Sequence, residues 1–472
     1  MTATPALWIS SREKLYLNFK DKLETAHHLD RKTVSFQANK TQPVYRWFKY
    51  KEGYSSTLVK HFLNEYSPMP GRLLDPFAGV GTSLFAGQEI GWETHGIEVL
   101  PVGAFAVNAR SAIARTDATT LKNAFSAWRK FKGPITRQFE HLTITKHAFP
   151  DVTENELNLY LSYCDTVADN DVRTALQFAA FSILENISYT RKDGQYLRWD
   201  YRSKRILSGK PFDKGTIASF QDAIEAKFEE ILIDASHDAT LLPFVDSEVS
   251  SQQSPQDMKL VVGSCLEELP LIESDTFDFV ITSPPYCNRY DYTRTYALEL
   301  AFLGLKDEDV RKLRQTMLSC TVENKDKVEW ARQFYERIGR GPTFKTVMSV
   351  YKASEAMNEV NVILEKLNVD DKLNNKNIAR MVRNYFLEMC FVIHELARIT
   401  RVGGRCVMVN DNVRYGGEEI PADLILSEFA AAFGYNVEKI LVLPRGKGNS
   451  SQQMGSYGRT EIRKCVYVWR KD

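Results

Sequence analysis

Apolar residues along the chain change their period several times, and the changes outline the fold. A short apolar run at residues 72–77 predicts a buried strand, broken by the turn Ala78-Gly79-Val80-Gly81-Thr82. Residues 83–90 then have helical spacing up to Gly91, and residues 94–99 return to a strand pattern. Strand, tight turn, helix and strand make a βαβ unit. From about residue 109 to 257 the spacing is mostly helical, as in Leu121-Phe125-Trp128, Leu157-Leu161-Cys164 and Ile224-Phe228-Ile231, around an irregular stretch at 189–214. Strands are predicted again at 259–262 and 277–282, the second ending abruptly at Ser283-Pro284-Pro285. Residues 306–375 read as charged helices, and 379–401 as one long helix followed by a turn at Val402-Gly403-Gly404. A strand at 405–409, a helix at 421–433 and strands at 437–443 and 464–469 complete the pattern. The expected architecture is an α/β open sheet interrupted by two largely helical insertions. It divides the chain into sheet-forming parts at 1–110, 258–305 and 379–472 and insertions at 111–257 and 306–378.

Composition narrows the class of protein. The chain has 472 residues, 43% hydrophobic and 26% charged, with a net charge of +1. Binding to nucleic acid therefore depends on local basic patches rather than on an overall field. The seven cysteines show no zinc-type spacing, so no metal site is expected, and free thiols fit a reducing cytoplasm. No apolar stretch has the length to span a membrane, and residues 1–20 lack the apolar core of a signal peptide.

The residues Asp75-Pro76-Phe77-Ala78-Gly79-Val80-Gly81-Thr82 stand at the carboxyl end of a predicted strand, where parallel sheets place ligands. Gly79 and Gly81 let the backbone turn sharply and approach a ligand. Glu98 ends the following strand, about 20 residues on, where an acid can take ribose hydroxyls. No G-x-x-x-x-G-K-[ST] phosphate cradle is present. A nucleoside without pyrophosphate therefore fits better than NAD or ATP. Asp75 offers an acceptor to an ammonium group and Phe77 an aromatic face to a sulfonium, which points to S-adenosyl-L-methionine. A structural turn in any α/β domain is the plain alternative.

Thr282-Ser283-Pro284-Pro285-Tyr286 carries the most specific chemistry. Two prolines stiffen the loop. Ser283 offers a hydroxyl and Pro284 a carbonyl acceptor without an N–H. Together they suit an amino group held by both hydrogens, its lone pair aimed at a methyl donor. Tyr286 adds a flat face for an extruded base.

These two motifs resemble those of the DNA amino-methyltransferases. Residues 75–82 are similar to that family's D-P-F-x-G-x-G-T cofactor motif, and Ser283, Pro284, Pro285 and Tyr286 to its S/D/N-P-P-Y/F catalytic motif. The resemblance implies a Rossmann-like sheet of seven strands with an antiparallel final hairpin, formed here by residues 437–443 and 464–469. A serine first in the motif resembles the cytosine-N4 branch more than the adenine-N6 branch. The resemblance also aligns Phe48, Tyr50 and Lys51 with a segment closing over the methionine end of the cofactor. Ser264 stands where an acid commonly binds the cofactor's adenine, so Leu266 or the backbone is the alternative contact.

Double-stranded DNA is the expected partner, with a cognate restriction endonuclease. Residues 189–214 interleave Arg191, Lys192, Arg198, Arg202, Lys204, Arg205 and Lys210 with Tyr189, Tyr196, Trp199 and Tyr201. Cations neutralise phosphates and aromatics stack on bases; a solvated amphipathic hairpin is the plain alternative. Arg289 and Arg294 follow the catalytic loop, and Arg445 and Lys447 open a Gly/Ser/Gln-rich segment. Asn410-Asp411-Asn412 closes a strand at the same sheet edge. Competing assignments are an adenine-N6 enzyme, an RNA base methyltransferase, and a fusion to a nuclease, the last suggested by Pro150-Asp151 with Glu225-Ala226-Lys227.

Overall fold

The computed structural model describes residues 9–67, 69–193, 196–205, 210–237, 257–444 and 462–472. Its strands, in chain order, are β1 (Leu23–Thr25), β2 (Arg72–Asp75), β3 (Glu93–Glu98), β4 (Thr190–Asp193), β5 (Tyr196–Trp199), β6 (Met258–Val262), β7 (Phe277–Thr282), β8 (Thr400–Asp411), β9 (Val413–Tyr415), β10 (Glu418–Ile420), β11 (Tyr435–Val442) and β12 (Lys464–Lys471). Eight of them form one sheet in the order β1-β11-β12-β8-β7-β2-β3-β6. Neighbours run parallel, except that β12 is antiparallel to both β11 and β8. This is the Rossmann-like α/β sheet with a reversed last hairpin. The short β1 pairs with β11 and brings to eight the strand count expected as seven.

Alternation along the strands explains why the sheet is covered on both faces. Cys406 and Met408 of β8 pack into the core that includes Phe386 and Leu396 of the helix Ile378–Ile399. Val407 and Val409 point the other way, into the core shared by Leu58, Phe62 and Leu84. The same two-residue period sorts Leu73 from Leu74 and Val466 from Tyr467. The turn expected at Val402-Gly403-Gly404 is instead a bulge within β8. Between Phe277↔Thr400 and Phe279↔Arg405 the register shifts, so one intervening residue of β7 faces several of β8.

The two helical regions are built differently. Helices Ala118–Lys130, Asp151–Thr166, Asn170–Ile187 and Phe220–His237 surround a second core with Phe178, Phe181 and Phe228. Helices Val328–Arg337, Gly341–Ala353 and Glu355–Val369 instead send Phe334, Val347, Met357 and Leu364 into the sheet's own core. One tie between distant segments matters for the cleft described below. The buried Asp234 accepts the Val44 N–H (3.1 Å), Arg46 Nε (3.0 Å) and Trp47 Nε1 (2.8 Å). It thereby joins the helix Phe220–His237 to the segment that leads into Tyr50–Tyr54.

Candidate active site

The glycine turn leaves β2 and starts the helix Thr82–Gln88. Gly81 has φ 76°, and a Cβ there would lie 2.8 Å from Val107 Cγ2, so any side chain would be both strained and crowded. The Gly79 N–H donates to Glu98 Oε2 (2.6 Å), and the Leu100 N–H to Glu98 Oε1 (2.6 Å). Glu98 thus fastens the turn to the end of β3. Burial pushes its carboxyl up to about 8. The folded protein therefore holds a proton that the unfolded chain has released between about pH 4.5 and pH 8, and this contribution to stability falls as pH rises through that window. Glu98→Gln should flatten the decline of melting temperature between pH 5 and pH 8 in the ligand-free protein. An unchanged slope would contradict the assignment.

Asp75 is buried and fully engaged. Oδ1 accepts Thr282 Oγ1 (2.7 Å) and the Phe77 N–H (3.0 Å); Oδ2 accepts Tyr54 OH (2.7 Å) and Ser83 Oγ (2.6 Å). A carboxylate has about four lone-pair sites, and all are taken. The expectation that Asp75 receives an ammonium group is thereby corrected: the side chain joins the turn, the loop Thr282–Tyr286 and the segment before the helix Ser56–Tyr66.

The loop Thr282–Tyr286 leaves β7, which lies beside β2, so it opens at the same sheet edge as Asp75. Pro284 is buried, while Ser283 and Pro285 face a cleft. Ser283 Oγ donates to Tyr286 OH (3.3 Å). Burial raises the Tyr286 phenol, so its hydroxyl stays neutral. The Tyr415 OH donates to the Cys287 carbonyl (2.8 Å) and anchors the far side of the loop. Nearby, Asn410 Nδ2 donates to Tyr385 OH (3.0 Å) and Asp411 pairs with Lys464 (2.7 Å).

The cleft holds about 760 Å³ of space between atoms, its open mouth included. Asp75, Pro76, Phe77, Gly79, Thr82, Glu98, Ser264 and Tyr50 all line it with Ser283 and Pro285; Gly81 supports the turn from behind. The Tyr50 ring lies over Gly79 and stacks on Tyr296 at 5.1 Å. Phe48 and Lys51 do not reach the cleft; Phe48 is buried among Phe178, Phe181 and Tyr296. Ser264 donates its hydroxyl to the Thr316 carbonyl (3.1 Å), which leaves backbone, Cys265, Met317 and Leu318 as the wall there. Leu266 lines two separate pockets beside Trp330. Glu52, Tyr54 and Tyr292 also line the cleft. The sequence pattern does not single them out, because their partners lie far away in the chain. The carboxyl side chains in the lining are Glu52, Asp75 and Glu98; no Lys or Arg joins them among the described residues.

Comparison with known proteins bears on this site. The chain is 46% identical over 458 residues to the Type II methyltransferase M.AvaI of Nostoc sp. (strain PCC 7120 / SAG 25.82 / UTEX 2576), covering 96% of this chain and 92% of the relative. The M.AvaI of Anabaena variabilis matches to the same extent. The Type II methyltransferase M.BsoBI of Geobacillus stearothermophilus is 40% identical over 470 residues, covering 97% and 91%. This chain belongs to the Type II methyltransferases. No family model and no solved structure matches it.

In this methyltransferase the basic stretch at 189–214 includes the hairpin β4–β5, against which the helix Tyr292–Thr295 packs. Arg191 and Lys210 are exposed. Arg198 lies over the Phe212 ring (4.1 Å) and near Asp193, and Arg205 over Trp199 (4.3 Å). Arg202 pairs with Asp200 (2.7 Å) and Lys204 with Asp151 (2.8 Å). Lys192 is a correction: it is buried, paired with Glu299 (2.5 Å) and set over the Tyr296 ring, so it offers no charge to a phosphate. Arg289 donates to Asn374 (2.8 Å), and Arg294 pairs with Glu323 (2.9 Å). Arg445 and Lys447 lie outside the described residues. Of the residues that suggested a nuclease, Glu225 pairs with Arg129 (3.3 Å) and Lys227 with Glu230 (2.6 Å). Among the described residues the cluster close enough to share a metal is His28, His61 and Glu65, which includes neither Asp151 nor Glu225. No helix of the described residues is long and apolar enough to cross a membrane.

Proposed function

We propose that this methyltransferase moves a methyl group from S-adenosyl-L-methionine to the exocyclic N4 of a cytosine flipped out of duplex DNA, as the modification partner of a restriction endonuclease. The observation that carries this reading is the placement of Ser283 and Pro285 on the wall of an acidic cleft, with Thr282 bonded to Asp75 beneath them. When bound, S-adenosylmethionine supplies an activated methyl on a sulfonium. Among the described residues the lining carries three carboxyl groups and no Lys or Arg, so it offers acceptors to a ligand with cationic centres and no cationic partner to a polyphosphate. Ser283 and the Pro284 carbonyl take the two amino hydrogens, which frees the nitrogen lone pair for in-line attack. Positioning of this kind supplies roughly 7–11 kcal/mol. As the nitrogen–methyl bond forms the sulfur–methyl bond breaks, and the methylated nitrogen then loses its extra proton to solvent. Tyr286 stacks on the extruded base, and the serine at the head of the motif favours cytosine over adenine.

DNA extracted from cells expressing the chain should contain N4-methylcytosine on nucleoside mass analysis. N6-methyladenine alone would move the target to adenine, and preferential transfer to structured RNA over duplex DNA would move it to RNA. For the DNA surface, Arg191→Ala with Arg198→Ala should weaken duplex binding and lower the salt slope by roughly 1 for each phosphate no longer neutralised. A slope equal to wild type would remove the hairpin from the interface.

A further inference from the structure

The cysteines have no zinc-type spacing, but histidines and a carboxylate can build a metal site without them. His61 and Glu65 stand at positions i and i+4 of the helix Ser56–Tyr66, which puts both side chains on one face. That helix is firmly seated: Leu58, Val59, Phe62 and Leu63 are buried in one core. His28 reaches the same face from the segment after β1. Its neighbours Ala26 and Leu29 are buried in that same core, and the Ala26 N–H donates to the Val442 carbonyl (2.9 Å). Packing thus holds both pieces of backbone in place, while the side chains of His28 and Glu65 are exposed. One ligand atom from each of the three residues lies within 4.8 Å of the other two, and the imidazole rings of His28 and His61 are 5.2 Å apart. His61 Nε2 is 3.1 Å from Glu65 Oε2, yet it makes no hydrogen bond and is shielded from solvent. Metal bonds of about 2.0–2.2 Å set tetrahedral ligands roughly 3.3–3.6 Å apart, so this pair is already close to the spacing of two ligands on one ion. Rotation of the exposed His28 side chain brings in the third. Two imidazoles and one carboxylate suit zinc and its transition-metal neighbours, whereas magnesium and calcium take mainly oxygen ligands.

We infer that His28, His61 and Glu65 bind one divalent transition-metal ion of the zinc class, which clamps the segment after β1 to the helix Ser56–Tyr66. None of the three lines the cleft, so the ion acts on stability and takes no part in transfer. The test uses the whole protein, free of any tag and stripped with a chelator, titrated with zinc chloride by calorimetry and thermal melting. Wild type should bind one equivalent, and its melting temperature should rise with zinc concentration. Magnesium chloride at the same concentrations should give no rise. His28→Ala and His61→Ala should each weaken zinc binding by at least about tenfold, the effect of losing even a supporting residue of a metal site, and should lose the rise in melting temperature. The adjacent exposed His27 is the control, and His27→Ala should bind zinc as wild type does. Failure of wild type to bind zinc overturns the inference whatever the fold of the variants. So does binding that persists undiminished in His61→Ala, or that is lost in His27→Ala and kept in His28→Ala. A cobalt-substituted protein with thiolate-to-metal charge-transfer bands also overturns it, because the ion then sits on a cysteine.

Discussion

Alanine in place of Tyr286 is expected to slow methyl transfer by about 10–100-fold, the value of one base–aromatic stack, while affinity for S-adenosylhomocysteine stays within about twofold of wild type. The asymmetry follows from position. Tyr286 belongs to the loop whose Ser283 and Pro285 line the cleft, but its own ring is not part of that lining. It lies on the side of Asp411, whose charge acts on its phenol. Its hydroxyl accepts from Ser283, so on the proposed reading a base entering beside them meets a flat face next to the group that takes its amino hydrogens. Tyr286→Phe keeps the face and should retain most of the rate. Rates of transfer by Tyr286→Ala equal to wild type would remove the stacking role, and a matching loss of cofactor affinity would show that the ring supports the cleft instead.

Asp75→Ala is expected to destabilise the protein by about 3 kcal/mol or more, since three buried side-chain hydroxyls and an amide lose one common acceptor. Chemical denaturation compared with wild type measures this. Transfer should fall further than the residual folded fraction explains, because Thr282 loses the hydrogen bond that holds the start of the loop Thr282–Tyr286 beside the glycine turn. Asp75→Asn keeps one carbonyl acceptor and should fall between the two. A loss below about 1 kcal/mol for Asp75→Ala would mean that water replaces the carboxylate at low cost.

Much of the sheet is legible in the sequence because its strands are short apolar runs stopped by strong punctuation. Phe277–Thr282 ends at two prolines, and Arg72–Asp75 ends at the glycine turn. Local signals of this kind need no knowledge of the partner strand. The edge strand Leu23–Thr25 gives no such signal: it is three residues long, mostly exposed, and pairs with residues more than 400 positions away. The turn expected at Val402-Gly403-Gly404 has turn composition, yet pairing with β7 draws it into β8 as a bulge. Within the site, the glycine turn and the proline loop stand out by composition, and both border one cleft. Glu52 and Tyr54 do not stand out. Their importance comes from Tyr290, Tyr296 and Asp75, which only the fold brings near. Lys192 shows the converse. It reads as one cation in a basic run, but the alternation of β4 turns it inward to Glu299 while Arg191 points out. Asp75, too, has the chemistry of an ammonium acceptor until its four donors are counted.

The central claim is that the loop Ser283–Tyr286 directs a methyl group from S-adenosylmethionine to the amino nitrogen of cytosine in DNA. The most direct measurement incubates the purified protein with methyl-labelled S-adenosylmethionine and unmethylated duplex DNA of high sequence complexity. The DNA is then digested to nucleosides and the label located by mass spectrometry. The account predicts label on N4-methylcytosine with wild type and almost none with Ser283→Ala, although that variant still binds S-adenosylhomocysteine. Label on another base, or undiminished label with Ser283→Ala, would contradict it.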